Sequence, residues 1–539
     1  MKLRLNSAHL FFSLNYAEKK QILKKQFTLS SKLLWVFVVL ATFLSIGIWY
    51  YYFTQDLHLA YNDARSHLNI GRRVVDNLNP GLSQIGSVWL PLFHLLEVLT
   101  IWNDFMYRTG LSGSIISMVS YVIGAVYLLK LCNILGMRKW SSLAAVTVYM
   151  FNPNLLYMQA TPMTESLLLA MSIAATYYLL QWQQSEKIVH LIYAAFFVML
   201  STLTRYDGWF LLVYAAATIF IIILKNYGKE KAIGLSVLFA TLAGFGVFLW
   251  FLWNKAIFGD FFFFSSSEFS AKAQQDVLAE AGRLLTKGDI VHSLYVYGLA
   301  VDHNLGSIIF ILFCVATIYI LLSKRYSLEV KLVILTLFVP FGFNVFALYK
   351  GQSVLHLPEL FPYTWFNVRY GLMLLPAAAL ALGMLVDRKT IASVLLIVVV
   401  FLQTGYMYAQ NNIITIQDGV QGSSGAFLND VGDWINSHSQ NGLVLVAASS
   451  QDALIFRSGL PMNHFIHEGT GHYWRESLDQ PTRHAQWVIM HSGDLVHKRL
   501  VEEQNPDFFN NYSLRYKGQF SYVYERTYSG RPLSPEELQ

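Results

Sequence analysis

Long apolar stretches recur from residue 33 to residue 409, and they constrain this chain more than any other feature. They lie near residues 33–53, 113–132, 140–157, 163–182, 189–204, 207–224, 232–253, 306–322, 331–349, 368–386 and 390–409. A transmembrane helix needs about 20 predominantly apolar residues, so the stretches predict about eleven spans. Charged residues make up only 13% of the chain, against about 25% in soluble domains. The sequence therefore predicts a polytopic α-helical membrane protein.

Basic residues predict the orientation of these spans. The first stretch follows a lysine-rich segment, is too long for a signal-peptide core, and is expected to remain as an uncleaved anchor. With the N-terminus in the cytoplasm, every short loop on that side is basic, as the positive-inside rule requires. The basic positions are Arg138, Lys139, Lys187, Lys225, Lys229, Lys231, Lys324, Arg325, Lys331, Arg388 and Lys389. The basic bias favours a bacterial inner membrane as the location. The net charge of +6 reflects this topology, so we expect membrane lipids and not nucleic acid as partners.

Composition divides the chain into two predicted domains. Residues 1–411 form a transmembrane domain with outer loops 54–111, 254–305 and 350–367. Residues 412–539 are more polar, and in them helical segments such as FLNDVGDWINSH alternate with strand segments such as GLVLVAAS, WVIMHS and FSYVYERT. Alternating helices and strands predict a soluble α/β domain on the external face.

The first outer loop contains the densest cluster of polar residues next to a span. The pattern predicts a helix over residues 63–78, with Asn62 as its N-cap and Asn79-Pro80 at its end. Helical spacing places Asp63 and His67 one turn apart on one face. Asp63 is a candidate base for a substrate hydroxyl, and His67 is a candidate to orient Asp63 or to bind a phosphate. The alternative is a solvated helix whose charges have no role.

Several cations on the predicted outer face could stabilise a departing phosphate. Arg205 opens RYDGW between two spans and Arg369 opens a span in FNVRYG, each followed by a tyrosine. A fixed guanidinium stabilises the negative charge that develops on a phosphate leaving group. The candidate substrate-binding residues are Arg65, Arg72, Arg205, Tyr206, Asp207, Lys350, Arg369 and Tyr370. The alternative is that charges at span ends only reach toward the water interface.

Glu165 lies at the outer end of a span in TPMTESLLLA. An ionisable group at the edge of the hydrocarbon is a candidate catalytic residue. The alternative is a carboxylate that stabilises the helix N-terminus.

A histidine-rich segment in the C-terminal domain, NHFIHEGTGHYW, contains His464, His467, Glu468 and His472. These residues could form a zinc site, but their spacing does not match H-E-x-x-H. Contact with an acceptor, or a plain surface, is the preferred interpretation. No nucleotide-binding loop is present, and neither a metal nor another cofactor is predicted.

Together these motifs resemble the GT-C glycosyltransferase superfamily. The resemblance rests on an acid in a long first outer loop, on an outer arginine that opens a late span before a proline (RYGLMLLP), and on a C-terminal outer α/β domain. More narrowly, the chain is similar to bacterial relatives of the dolichyl-phosphate-mannose mannosyltransferases and the lipid-A aminoarabinose transferases. The resemblance implies a polyprenyl-phosphate-linked sugar as donor, Asp63 as catalytic base and Arg369 as a ligand of the donor phosphate. The tandem acidic pair of several such families is absent, because Asn62 precedes Asp63, and this argues against a metal requirement.

The resulting hypothesis is a membrane glycosyltransferase, mannosyltransferase-like, that acts by one inverting displacement on an acceptor hydroxyl. The acceptor could be a protein, a lipid or a polysaccharide. Two alternatives remain. A transporter or lipid flippase would also have many spans, although it usually carries charges at mid-membrane. A non-catalytic lipid-binding assembly subunit would tolerate Asp63→Asn, which an enzyme would not.

Overall fold

The computed structural model describes residues 30–268, 270–438 and 441–527. Each predicted apolar stretch coincides with one helix or with consecutive helices. These helices are Ser31–Thr54, Leu111–Ile134, Lys139–Met150, Pro153–Met158, Glu165–Ser185, Ile188–Thr202, Asp207–Tyr227, Lys229–Phe258, Ser307–Leu322, Leu328–Ile334, Val339–Lys350, Val368–Leu374 (a 3₁₀ helix), Leu375–Leu385 and Thr390–Ala409. The chain is a polytopic α-helical membrane protein.

The spans differ in length, which makes their number approximate. Within the described ranges, seven helical segments are long and apolar enough to cross a membrane, and an eighth arises if Ile290–Leu305 and Ser307–Leu322 are counted as one bent span. These two helices meet at 115°. Others of the predicted eleven are short, for example the 15-residue helix Ile188–Thr202. Apolar runs in the sequence mark where helices lie, but not whether each helix crosses alone.

Two glycines, close in sequence to the candidate site residues Arg369 and Asp207, let backbone segments approach each other. A Cβ on Gly371 would lie 2.2 Å from the carbonyl oxygen of Ala300, and a Cβ on Gly208 would lie 2.3 Å from that of Ser201. Any side chain there would clash with backbone. Gly371 therefore lets the 3₁₀ helix Val368–Leu374, which contains Arg369, pack closely against the helix Ile290–Leu305.

The first loop contains a helix, Asn62–Arg73, which we call the loop helix. The expected helix is confirmed, but its predicted limits and cap are wrong. Tyr61 is the N-cap residue and makes no side-chain cap bond, while the backbone N–H of Asn62 donates to the carbonyl oxygen of Ser423 at 2.6 Å. The helix ends before residue 78 because the chain turns, with Gly81 N–H bonded to the carbonyl of Val74. Shorter helices Leu92–Glu97 and Asp104–Arg108 complete this loop.

The C-terminal part forms a five-stranded mixed sheet. Its strands are β1 (Leu443–Val446), β2 (Phe465–Ile466), β3 (Ala485–Met490), β4 (Tyr512–Lys517) and β5 (Tyr522–Arg526), in the order β2-β1-β3-β5-β4. The β1–β2 and β1–β3 pairs are parallel, whereas β3–β5 and β4–β5 are antiparallel. Helices Asn429–His438, Ala448–Arg457, His472–Asp479, Leu495–His497 and Pro506–Asn511 accompany the sheet. Both faces of β1 are covered, so the predicted α/β character is confirmed.

The C-terminal part is docked on the first loop by hydrogen bonds and ion pairs. Arg73 donates to Asp452 at 2.5 Å, and Asn69 donates to the carbonyl oxygen of the same residue at 2.9 Å. Arg108 donates to the carbonyl oxygens of Gly459 and Leu460. The residues after the last long helix return to the helical part through the short helix Ile414–Gln417. The domain limits 1–411 and 412–539 remain a prediction.

Candidate active site

A cavity of about 420 Å³ lies where the first loop meets the ends of several long helices. Residues from distant parts of the chain line it. The predicted site residues among them are Asp63, His67, Glu165, Arg205, Tyr206, Asp207, Arg369 and Tyr370. The structure therefore brings into one cavity side chains that are up to 307 positions apart, from residue 63 to residue 370.

Arg369 lies at the centre of the charged groups. Its Nη2 donates to Oδ2 of Asp63 at 2.5 Å, and its Nε donates to Oε1 of Glu165 at 3.2 Å. Its side chain is buried, whereas that of Asp63 is 32% exposed. Nη1 of Arg369 has no hydrogen-bond partner within the part of the chain that the structure describes. The guanidinium thus anchors two carboxylates at the cavity.

Arg205 forms the second cationic group. Its Nη1 donates to Oε1 of Glu165 at 3.0 Å, and its Nε donates to Oδ2 of Asp207 at 3.3 Å. Glu165 and Asp207 are each the first residue of their helix, where the helix dipole favours a negative charge. Both guanidiniums share Glu165 Oε1, so the two arginines are held close together. Two guanidiniums and a partly exposed carboxylate are suited to bind an anion beside a base.

Tyrosine rings support the arginines. The Cζ of Arg369 lies 4.7 Å from the ring centre of Tyr61 and 5.3 Å from that of Tyr370. The Cζ of Arg205 lies 4.9 Å from the ring centre of Tyr370. These cation–π contacts help to fix the positions of both guanidiniums. The hydroxyl of Tyr206 donates to the carbonyl of Val88 at 2.8 Å, so its ring forms part of the wall.

Asp418 is a member of this charged network that the sequence did not reveal. Its Oδ2 accepts a hydrogen bond from Tyr61 at 3.0 Å and lies 3.8 Å from Nη1 of Arg369. The only signal was a single acid in ITIQDG, shortly after the last long span. Asp418 links the segment that leads to the C-terminal sheet directly to Arg369.

Three predicted cations do not line the cavity. Arg65 donates to the carbonyl oxygen of Ser424 at 3.2 Å. Arg72 is occupied by Asp76 and Asp104 on the outside of the loop helix. Lys350 is exposed, and its Nζ lies 5.8 Å from the ring centre of Phe346. Helical spacing explains why Arg65 and Arg72 lie outside the cavity, because they share a face of the loop helix that points away from Asp63.

Further polar residues of the cavity wall were not predicted. Lys272 and Ser270 come from the start of the helix Ala271–Glu280, and Gln352 and Ser353 come from the loop 350–367. Lys272 makes no ion pair with the described residues. The amphipathic pattern EFSAKAQQDVLAEAGRLL predicted this helix but not its position.

The structure offers little to a metal ion. Within the described ranges, no group of three or more histidine, cysteine, aspartate or glutamate side chains is arranged to hold one. Asp63 and Glu165 are already paired with guanidiniums. In the C-terminal histidine-rich segment, His467 contacts Asn77 and Gly469, and Glu468 accepts hydrogen bonds from Ser449. These residues fasten loops together, and we assign no step to a metal.

Comparisons with known proteins show which solved structures have a similar fold. No protein-family model matches the chain, and no curated protein matches it. The structure is similar to ArnT from Cupriavidus metallidurans bound to undecaprenyl phosphate, with a TM-score of 0.57 and 11% sequence identity over 92% of this chain and 98% of that chain. It matches the apo state of ArnT equally well, with a TM-score of 0.57 and 11% identity over 93% and 99% of the two chains.

A third similar structure is the Archaeoglobus fulgidus oligosaccharyltransferase in complex with Zn and sulfate. Its TM-score is 0.50, and the match has 11% identity over 92% of this chain and 74% of that chain. Identities this low relate the folds alone. Each of the three matches covers more than nine-tenths of this chain. The protein described here therefore has the GT-C superfamily fold.

Proposed function

We propose that this protein is a glycosyltransferase that moves a sugar from a polyprenyl-phosphate-linked donor to an acceptor hydroxyl. One observation carries the proposal: the carboxylate of Asp63 lies in the same cavity as the guanidiniums of Arg369 and Arg205. A base for the acceptor and cations for a phosphate are the two requirements of this reaction. The ArnT structure with the GT-C fold is bound to undecaprenyl phosphate, which supports a lipid phosphate as the donor's carrier.

The arginines stabilise the leaving group. When the bond between the anomeric carbon and the phosphate oxygen breaks, the phosphate keeps the electron pair and gains negative charge. Arg369 and Arg205 both line the cavity, and both donate to the same oxygen of Glu165, so the two guanidiniums lie side by side. A guanidinium at the phosphate lowers the energy of the charged transition state without protonating the leaving oxygen.

Donor binding also prepares the base. Asp63 and a donor phosphate compete for the N–H groups of Arg369, because Asp63 accepts from Nη2 of that residue. A phosphate that takes over this guanidinium weakens its hold on Asp63. The carboxylate is then free to accept the proton of the acceptor hydroxyl.

The displacement balances without a cofactor. The acceptor oxygen forms a bond to the anomeric carbon, its proton goes to Asp63, and the lipid phosphate departs as an anion. A single carboxylate suffices, because the phosphate departs as an anion and needs no general acid to protonate it. The attack and the departure occur on opposite faces of the sugar and invert its configuration. Glu165 holds both arginines in place and does not touch the acceptor in this scheme.

The proposal extends to the location of the reaction. With the basic loops in the cytoplasm, as the positive-inside rule predicts, the N-terminus would be cytoplasmic, and the cavity and the C-terminal domain would lie on the external face of a bacterial inner membrane. The acceptor would approach from that face, beside the C-terminal domain. Hexosyl and mannosyl donors are the first to test.

The test uses full-length protein in detergent with a panel of polyprenyl-phosphate sugars and a cell-envelope extract as acceptor. We expect wild type to release one sugar from its lipid and Asp63→Asn to lose this activity. Asp56→Asn is the matched control, because Asp56 is an exposed carboxylate of the same loop that does not line the cavity. Equal activity of Asp63→Asn and wild type would remove Asp63 as the base. Wild type that binds donors and leaves all of them intact would refute the transferase and favour a flippase.

A further inference from the structure

His67, in the cavity wall, forms a hydrogen-bonded pair with His94, which lies behind it and does not line the cavity. Nδ1 of His67 lies 2.8 Å from Nε2 of His94, so only one of these two nitrogens carries a hydrogen. His67 belongs to the loop helix and His94 to the helix Leu92–Glu97. His94 is fully buried, and His67 is 5% exposed beneath Trp89, whose ring centre lies 4.4 Å away.

The surroundings of His94 decide which ring donates. Nδ1 of His94 is buried and has no hydrogen-bond partner among the residues that the structure describes. A hydrogen on that nitrogen would be a buried donor without an acceptor, which proteins avoid more strictly than an unused acceptor. The hydrogen of His94 is therefore on Nε2 and is donated to Nδ1 of His67. His67 must then carry its own hydrogen on Nε2.

Both rings are neutral. Burial, with the positive charges of Arg369 and Arg205, lowers the pKa of His67 to about 3. Burial and the proximity of His67 lower the pKa of His94 well below its ordinary value. The groups that face the His67 ring are thus His94, the two guanidiniums and, one helical turn earlier on the same face, Asp63.

We propose that His67 is a neutral hydrogen-bond donor to a phosphate oxygen of the lipid-linked substrate, and that His94 is the positioning residue that holds it in the donating tautomer. The inference rests on the proposed function and adds a third phosphate ligand to the two arginines. His67 lines the cavity with both of them, and its Nε2 makes no hydrogen bond within the described ranges. A neutral N–H binds a phosphate oxygen without adding a third cation beside two guanidiniums.

The test measures binding to full-length protein in detergent with three probes. Farnesyl methyl phosphate is a lipid phosphodiester whose single charge is constant between about pH 5.5 and 8.5, farnesol is its uncharged counterpart, and dimethyl phosphate is the head group alone. His67→Asn keeps an amide oxygen that can accept from His94 but does not reach into the cavity. His67→Gln is the matched variant, because its longer side chain can place an N–H near the position of Nε2.

We expect wild type to bind farnesyl methyl phosphate more tightly than farnesol. His67→Asn should weaken phosphodiester binding about tenfold, and His67→Gln less than about threefold, as for a hydrogen bond to a charged group. Farnesol binding should be unchanged in both. The ratio of Kd values between His67→Asn and wild type should be constant from pH 5.5 to 8.5, because a neutral donor does not titrate there. A ratio that grows with acidity would show an imidazolium and overturn the neutral donor.

The remaining outcomes separate the two proposals. Wild type that prefers the phosphodiester but loses nothing in His67→Asn would overturn the role of His67 and leave the transferase standing. Wild type that binds farnesol as tightly would count against the lipid-phosphate donor itself. Competition by dimethyl phosphate that also depends on His67 would show that the N–H binds the head group without the lipid tail, which supports the donor role.

A second pair of variants tests His94 without altering the cavity wall. His94→Gln keeps an N–H near the His67 ring, whereas His94→Leu removes it and frees the tautomer of His67. We expect His94→Leu to weaken phosphodiester binding severalfold, with His94→Gln close to wild type and farnesol binding unchanged in both. Equal binding by these two variants would overturn the positioning role of His94.

Discussion

Glu97 provides the sharpest test of the packing beneath the loop helix. It is fully buried on the helix Leu92–Glu97, and neither carboxyl oxygen has a hydrogen-bond partner within the described part of the chain. Its oxygens fill the space beside two glycines: a Cβ on Gly71 would lie 2.8 Å from Oε2, and a Cβ on Gly113 would lie 2.7 Å from Oε1. Burial raises the pKa of Glu97 well above its ordinary value. The carboxyl group is therefore protonated in the folded protein when it would be ionised in the unfolded chain.

The sign of the pH dependence follows from proton binding. Above the ordinary pKa of 4.5, the folded protein holds a proton at Glu97 that the unfolded chain releases. Stability therefore falls as pH rises, by about 1.4 kcal/mol per pH unit, until the raised pKa of the folded state is reached. Glu97→Gln removes this titration while keeping nearly the same shape. As pH rises from 5 to 7, the free energy of unfolding of the variant should increase by up to about 2.7 kcal/mol relative to that of wild type.

The assay is chemical unfolding in mixed micelles, followed at several pH values for wild type and Glu97→Gln. Glu280→Gln is the control, because Glu280 is exposed at the end of the helix Ala271–Glu280. Its pH profile should run parallel to that of wild type. Parallel profiles for Glu97→Gln and wild type would refute the reasoning, since they would show that Glu97 titrates alike in the folded and unfolded chain.

Three further predictions concern the site and its supports. Gly371→Ala should destabilise the protein by about 1–3 kcal/mol, because its Cβ would meet a backbone carbonyl 2.2 Å away. Gly298→Ala is the control and should have no such effect, because the space around its Cβ is open. Thermal unfolding of both variants tests this difference. Arg205→Lys should lower the rate of sugar transfer at least about tenfold, because one ammonium cannot replace a guanidinium that binds two carboxylates. Arg457→Lys, at a half-exposed ion pair, is the control and should match wild type. Equal transfer rates for Arg205→Lys and wild type would exclude the role of Arg205. Asp452→Ala removes the partner of two side chains of the loop helix, so limited proteolysis near residues 412–428 should become faster, and an unchanged cleavage rate would contradict docking through this residue.

Part of the candidate site was predictable from local spacing. Asp63 and His67 are four residues apart, and both line the cavity because a helix places such residues on one face. The arginines were harder to rank. Arg65 has the same charge as Arg369 and lies closer to Asp63 in sequence, yet it bonds the carbonyl of Ser424. Nothing in the local pattern distinguishes the two, because the difference lies in which distant segment packs against each residue.

Residues whose function depends on a distant partner were missed. Asp418 follows the last long span as a single acid, and only the return of its segment to the helical part places it 3.8 Å from Arg369. His94 gave no signal, since its partner His67 is 27 residues away in a different helix. Asn62 was expected to cap the loop helix, but the backbone there bonds to Ser423 instead. In each case a long-range contact decided the role of the residue, and at Asn62 it outweighed a local preference.

By itself, the sequence determined that this is a polytopic helical membrane protein with an α/β part near its C-terminus. Those properties follow from local composition, because each apolar stretch must satisfy its own backbone hydrogen bonds as a helix in hydrocarbon. The tertiary structure alone decided which charges meet. Arg369 contacts Asp63 and Glu165 across 306 and 204 positions of the chain, held there by the close backbone approach at Gly371. A buried charge requires a partner, but its own position in the chain does not identify that partner, because the packing of distant helices brings the two together.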